Sequence, residues 1–194
     1  DVILEHLQGV GALDIGDFFA FRIAEASTDL DGAPYGGARY PVEAILGGRT
    51  FVKFHLDIGI GDLVLDPVEV VEPRDWLAFA QVPPPRVPMI SREQQFAEKL
   101  HAYTLPRPMS PNSRVRDLVD MVLLIESGTL SREKALEALA STFKRRGTHD
   151  LPGTLTAPPD DWEGPFRALA EECRLTVSLA QVFEGLRRFH ARLA

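Results

Sequence analysis

A change of hydrophobic period near residue 90 constrains this chain more than any other feature of its sequence. Upstream, the apolar residues alternate. Thr50 to Ile60 places Val52, Phe54, Leu56, Ile58 and Ile60 on one face, and Phe51, Lys53, His55, Asp57 and Gly59 on the other. Phe18 to Ala26 and Ala38 to Leu46 are further β-branched and aromatic runs. Gly47-Gly48 between the last two reads as a hairpin turn, because the turn needs positive φ that glycine adopts without strain. Downstream the period becomes helical. Ser91 and Gln94 stand at capping-box spacing before a helix predicted to reach Thr104, ended by Pro106. A second helix is expected to start at Pro111 to Ser113, and a third to start at Ser131 and end near Lys144-Arg145-Arg146. Two more are expected over Pro165 to Arg174 and Ser178 to Leu193. The fold class is therefore α+β, with a β-rich part over residues 1–90 and an all-helical part over 91–194.

Composition narrows the function classes. The 194 residues carry 28 acidic against 21 basic side chains, a net charge of -7, which argues against general binding to a phosphate backbone. No apolar stretch approaches the roughly 18 residues that span a bilayer, and no basic-then-apolar leader opens the chain. The single Cys173 can form neither an internal disulfide nor a cysteine zinc site, so a reducing cytoplasm is the expected setting. The start at Asp1, without Met, suggests a fragment.

Chemistry concentrates around Lys99. Phe96, Leu100 and Tyr103 form one apolar stripe, and Lys99 lies about 60° to its side, at the rim of a buried seam. The next helix is apolar over most of its circumference, yet Asp117 and Asp120 share a face at i,i+3 spacing. Desolvating two carboxylates without partners costs several kcal/mol each, so cations or a metal belong nearby. Arg86 to Arg116 carries six Lys/Arg against two Glu, a basic island suited to an anionic substrate. A structural bridge from Lys99 to Asp117 explains the same spacing, and Asp57 reads equally as a strand-end residue. The five histidines show no metal-ligand spacing, and Gly59-Ile-Gly61 lacks the third glycine and helix of a dinucleotide loop.

Gly36 to Ala44, Gly48-Arg-Thr-Phe51, His55 to Asp62, Gln94 to Ala102, Ser113 to Asp120, Thr142 to Thr148 and Leu151-Pro152 together resemble the AbiEii/AbiGii toxin family of nucleotidyltransferases. Their order and spacing hold across nearly the whole chain. The Ala-Glu-Lys-Leu and Arg-x-x-Asp-Leu-x-Asp elements are the most specific. The resemblance implies a DNA-polymerase-β-like nucleotidyltransferase core followed by a helical region. It also implies a role in toxin–antitoxin pairs or phage defence, with nucleoside monophosphate passing from an NTP to a target such as tRNA. By the same resemblance Lys99 contacts the nucleotide phosphates with Arg116 beside it, Asp117 and Asp120 are the catalytic acids, and Asp57 is a ligand for Mg²⁺. A cognate antitoxin encoded nearby is the implied partner.

The chain departs from the family's first signature, a Gly-Ser turn followed by Asp-x-Asp. Thr28-Asp29-Leu30-Asp31 imitates it, but in the setting of a hairpin loop. The expectation is a chain incomplete as a catalyst, and the competing reading is a relative that serves as a binding or regulatory module.

Overall fold

The computed structural model describes residues 1–30, 32–75, 78–81 and 83–193, and divides into two compact units, Asp1–Asp62 and Leu63–Ala194. The fold is α+β, as the sequence predicts, with antiparallel strand pairs and six α-helices among the described residues. None of these helices is long and apolar enough to cross a membrane.

The first unit begins with α1 (Val2–Gly11), capped by Asp1, whose carboxylate accepts from the backbone N–H of Ile3 and Leu4. Its strands are β1 (Phe19–Ile23), β2 (Thr28–Asp29), β3 (Gly37–Leu46) and β4 (Arg49–Gly59). β3 pairs with all three others, antiparallel in each case. Gly47 and Gly48, at φ 57° and 77°, make the β3–β4 turn as the sequence indicates. The alternation of β4 is real but only partly used. Leu56 and Ile58 pack with Ile23, Tyr40 and Val42 beneath Ile3, Leu4 and Leu7 of α1, whereas Val52 and Phe54 stay exposed. On the opposite face Glu43 sits between Arg22 and Lys53, and Arg39 faces Asp57. Thr28 and Asp29 form a short strand paired to Arg39 and Ala38, where the sequence reading expects a hairpin loop; Asp31 lies outside the described residues.

The second unit opens with the strand pair β5 (Glu69–Val71) and β6 (Val87–Met89). Then follow α2 (Arg92–Thr104), α3 (Val115–Glu126), α4 (Arg132–Arg146), α5 (Glu163–Glu172) and α6 (Leu179–Leu193). Helix α2 begins where the hydrophobic period changes. Its core is continuous: Phe96, Leu100, Leu118, Met121 and Leu186 are all 0% exposed. Each such side chain contributes about 1.5–3 kcal/mol by leaving water.

Two polar side chains tie α2 to its neighbours. Ser91 caps α2 by accepting from the Gln94 N–H, but the Gln94 side chain does not complete the capping box. It is 1% exposed, accepts from the Leu65 N–H at 2.9 Å, and donates to Leu63 O and Glu98. A loop lying across the helix outcompetes the local partner. Glu93, also buried, accepts from the Ser131 N–H at 2.8 Å and so anchors the start of α4. Gly147 ends α4 in the left-handed region at φ 58°.

Candidate active site

Helices α2 and α3 pack through Phe96, Ala97, Leu100, Leu118, Met121 and Val122, which sets Lys99 on the rim of their seam. The Lys99 ammonium donates to Asp120 Oδ2 at 2.6 Å and lies 3.7 Å from Asp117 Oδ1. Arg114 Nη1 stands 3.7 Å from the other Asp117 oxygen. The three predicted residues Lys99, Asp117 and Asp120 are thus brought together, and the cation demanded by two carboxylates on an apolar helix is Lys99.

The cluster borders two grooves. One, of about 380 Å³, is lined by Arg92, Gln95, Lys99 and Asp120 above Leu123 and Leu124. The other, of about 480 Å³, is lined by Arg114, Arg116, Asp117, Pro165 and Leu169. Burial pushes the Asp117 carboxyl above the usual aspartate range; Lys99 and Arg114 pull it back down, and the charge of Asp120 pushes it up. Asp117 therefore binds a proton more readily than an ordinary surface carboxylate. Arg116 is exposed, with its guanidinium available to an anion in the second groove.

Asp57 belongs to the first unit, on β4. Both its oxygens are engaged by Arg39, at 2.7 Å from Nε and 2.6 Å from Nη2. The guanidinium holds this carboxyl below the usual range. To ligate a cation, Asp57 would first have to release Arg39. Asp117 and Asp120 are likewise engaged by Lys99 and Arg114, and among the described residues no three His, Cys, Asp or Glu side chains gather in a geometry that could hold a metal ion. Each of the three predicted carboxylates is thus already held by a cation.

Sequence reasoning missed a buried polar chain at the far end of α2. His101, 2% exposed, bonds through Nε2 to Thr148 Oγ1 at 2.8 Å. Thr148 Oγ1 reaches His149 Nδ1 at 3.1 Å, and His149 Nε2 reaches Thr104 Oγ1 at 2.9 Å. Thr104 also donates to Leu100 O, so His149 Nε2–H donates to Thr104; with His149 neutral, Thr148 donates to His149 Nδ1 and His101 Nε2–H to Thr148. Both imidazoles are neutral in this arrangement. Burial depresses His101 to about 4, with His149 and Arg146 adding to the effect. The sequence separation of 47 residues leaves no periodic signal by which the pair could have been found.

A family model for the nucleotidyl transferase AbiEii toxin of type IV toxin–antitoxin systems matches residues 1–188. A search of curated proteins finds no match. The matched span contains the first unit, all but the last six residues of the second, the ion-pair cluster and both grooves. The chain belongs to the AbiEii family of nucleotidyl transferase toxins.

Proposed function

We propose that the Lys99, Asp117 and Asp120 cluster performs nucleotidyl transfer, moving a nucleoside monophosphate from an NTP to a hydroxyl of an RNA acceptor such as tRNA. The observation that carries the proposal is the placement of Lys99 between two carboxylates on the border of two grooves that also present Arg92, Arg114 and Arg116. The substrate is taken as its Mg²⁺ complex, and no step runs through a resident metal ion.

In this reading Asp120 holds the Lys99 ammonium toward the α-phosphoryl oxygens, where negative charge concentrates during in-line displacement. The acceptor oxygen bonds to the α-phosphorus as the bond to the β-phosphate oxygen breaks. Pyrophosphate leaves with that electron pair, balanced by Arg116. The proton of the acceptor hydroxyl passes to Asp117, whose burial favours the protonated form. The family implies a cognate antitoxin that opposes the activity.

A second reading is favoured by one observation: Lys99 is already paired with two carboxylates, as a bridge fastening α2 to α3 would be. In that case the chain is a binding or regulatory module. The test is transfer of label from α-labelled NTPs to RNA by the parent, Lys99→Ala and Asp117→Ala, with thermal unfolding of each. Loss of labelling in variants that remain folded at the assay temperature supports transfer. Undiminished labelling by both variants removes the site assignment.

A further inference from the structure

Beside the ion-pair cluster lies a smaller pocket, at the C-terminal end of α2, that the transfer reading leaves unused. It encloses about 300 Å³ and is lined by Arg107, Ser110, Thr154 and Thr156 together with the apolar faces of Pro106 and Pro152. Arg107 is half-buried here. Its Nη1 donates to Leu105 O at 2.9 Å and its Nη2 to Ala102 O at 3.2 Å, which fixes the guanidinium against the end of α2. Two of its five N–H donors are thereby used, and among the described residues no carboxylate stands within ion-pair distance of it. Ser110, Thr154 and Thr156 are exposed residues that line the same space.

A guanidinium fixed by two carbonyls, with three further donors on the side of an open pocket, is placed to receive an anion. Burial lowers the proton affinity of Arg107, the nearby charge of Arg114 lowers it further, and Asp117 opposes both, so the pocket and the cluster lie within each other's field. Along α2, Thr104 on the pocket wall is five residues beyond Lys99, about 7.5 Å of helix. The volume lies at the bottom of the range for small-molecule sites, roughly 300–1,000 Å³, which suits one nucleotide unit and excludes a folded strand. Hydroxyls that can pair with a ribose, apolar faces for a base and a planar guanidinium for a phosphate make up the lining.

We infer that this pocket binds a single nucleoside phosphate, with Arg107 on the phosphate and the Ser110, Thr154 and Thr156 hydroxyls on the sugar. The inference rests on the nucleotidyl-transfer reading for its choice of ligand. A nucleoside phosphate reaches the pocket from either of two sources, a free NTP or the terminal nucleotide of the RNA acceptor.

The pocket carries its own reporter. Asn112 lines it, and the Trp162 indole donates to Asn112 O at 2.8 Å. The experiment titrates the full chain with the four nucleoside 5′-monophosphates, the matching nucleosides and inorganic phosphate, following affinity by calorimetry and the Trp162 indole N–H by NMR. At least one monophosphate is expected to bind and shift the Trp162 signal. Its nucleoside should bind about tenfold more weakly, the loss that goes with one charge-assisted hydrogen bond, and inorganic phosphate, which lacks the sugar and base contacts, should also bind more weakly. Arg107→Gln should bring the monophosphate down to the level of the nucleoside. Because Arg107 also braces the end of α2, Thr154→Phe provides a second variant that fills the pocket from an exposed loop and should abolish both binding and the shift. Equal monophosphate affinity in the parent and both variants, or binding without a Trp162 shift, overturns the inference.

Titrations with NTPs and with a short oligoribonucleotide identify the source, and tighter binding of either supports the site. Labelling is scored separately. Full labelling without monophosphate binding overturns the pocket alone, and binding in the parent that survives in a Lys99→Ala chain unable to label leaves both readings standing.

Discussion

Lys99 of α2 and Asp120 of α3 meet at 2.6 Å with about two thirds or more of each side chain removed from water, at 28% and 35% exposed. Asp117, at 17% exposed, shares the same ammonium from 3.7 Å. Lys99 therefore serves both carboxylates, with Arg114 sharing Asp117, on a helix whose buried residues are apolar. Its loss leaves more charge stranded than its presence stabilises.

Lys99→Met should accordingly destabilise the second unit by about 1–3 kcal/mol, below the value for a fully buried pair because water still reaches the cluster. Lys99→Met combined with Asp117→Asn and Asp120→Asn should recover most of that loss. Urea unfolding followed by circular dichroism measures both. A triple variant no more stable than the single one contradicts the stranded-charge account.

The polar chain through His101 and His149 sets a pH dependence. Burial depresses His101 from 6.5 to about 4, so folding favours its neutral form. His149 is depressed in the same direction, again by burial. The stability these groups contribute is complete above the unfolded value and is lost as pH falls from about 6.5 toward 4. For His101 the ceiling is about 3 kcal/mol. A protonated His149 carries a hydrogen on Nδ1 and can no longer accept from Thr148. Thermal unfolding between pH 7.5 and 4.5 should therefore show a steeper fall in the parent than in a His101→Phe/His149→Phe chain, and parallel curves would show that the two imidazoles do not govern the acid limb.

The ion-pair cluster was legible in the sequence because its physics is local: two acids at i,i+3 spacing on an apolar helix require a cation, and Lys99 sits at the rim of the neighbouring stripe. The β3–β4 hairpin was legible because only glycine turns that way cheaply. Other features depend on what packs across them. The alternation in β4 marks an apolar face, yet it does not say that α1 covers Leu56 and Ile58 while leaving Val52 and Phe54 exposed. Gln94 has the spacing of a capping box but answers to Leu63 and Leu65, some 30 residues upstream. Arg107 shows in the sequence only as one charge in a basic stretch. Its confinement against carbonyls is a property of the folded turn.

Gln94→Met tests that loop anchorage. The change keeps the volume but removes the acceptor for the Leu65 N–H and the donor to Leu63 O. Both backbone groups lie near the surface and regain water, so a cost of about 1–3 kcal/mol is expected. Hydrogen exchange at the Leu65 amide should accelerate before the core of α2 opens. Unchanged protection at Leu65 would place the anchorage elsewhere.

Arg116 and Lys144 are exposed cations, on α3 and at the end of α4, and suit pairing with acceptor phosphates. Arg116→Glu and Lys144→Glu should each weaken RNA binding more at low salt than at high salt, with the slope of log affinity against log salt falling by about one for each phosphate no longer neutralised. Filter binding across roughly 50–300 mM salt gives the slopes, a span wide enough to resolve a change of about one unit. An unchanged slope would remove the residue from the acceptor path.

Asp57 separates a structural role from a metal one most sharply. Its bidentate pairing with Arg39 lies on the exposed polar face of the sheet, where ion pairs contribute little to stability. Asp57→Asn should leave the unfolding temperature nearly unchanged, since the amide still accepts from the guanidinium and water satisfies the remaining donor. If Arg39 is its sole partner, labelling from an NTP should survive the substitution as well. Arg39→Gln is the complementary variant: it frees both carboxylate oxygens. Mg²⁺ titration of that variant, read through amide shifts along β4, should show stronger perturbation at Asp57 than the parent does. Loss of labelling in Asp57→Asn at unchanged stability would return Asp57 to the metal-binding role that the family resemblance implies.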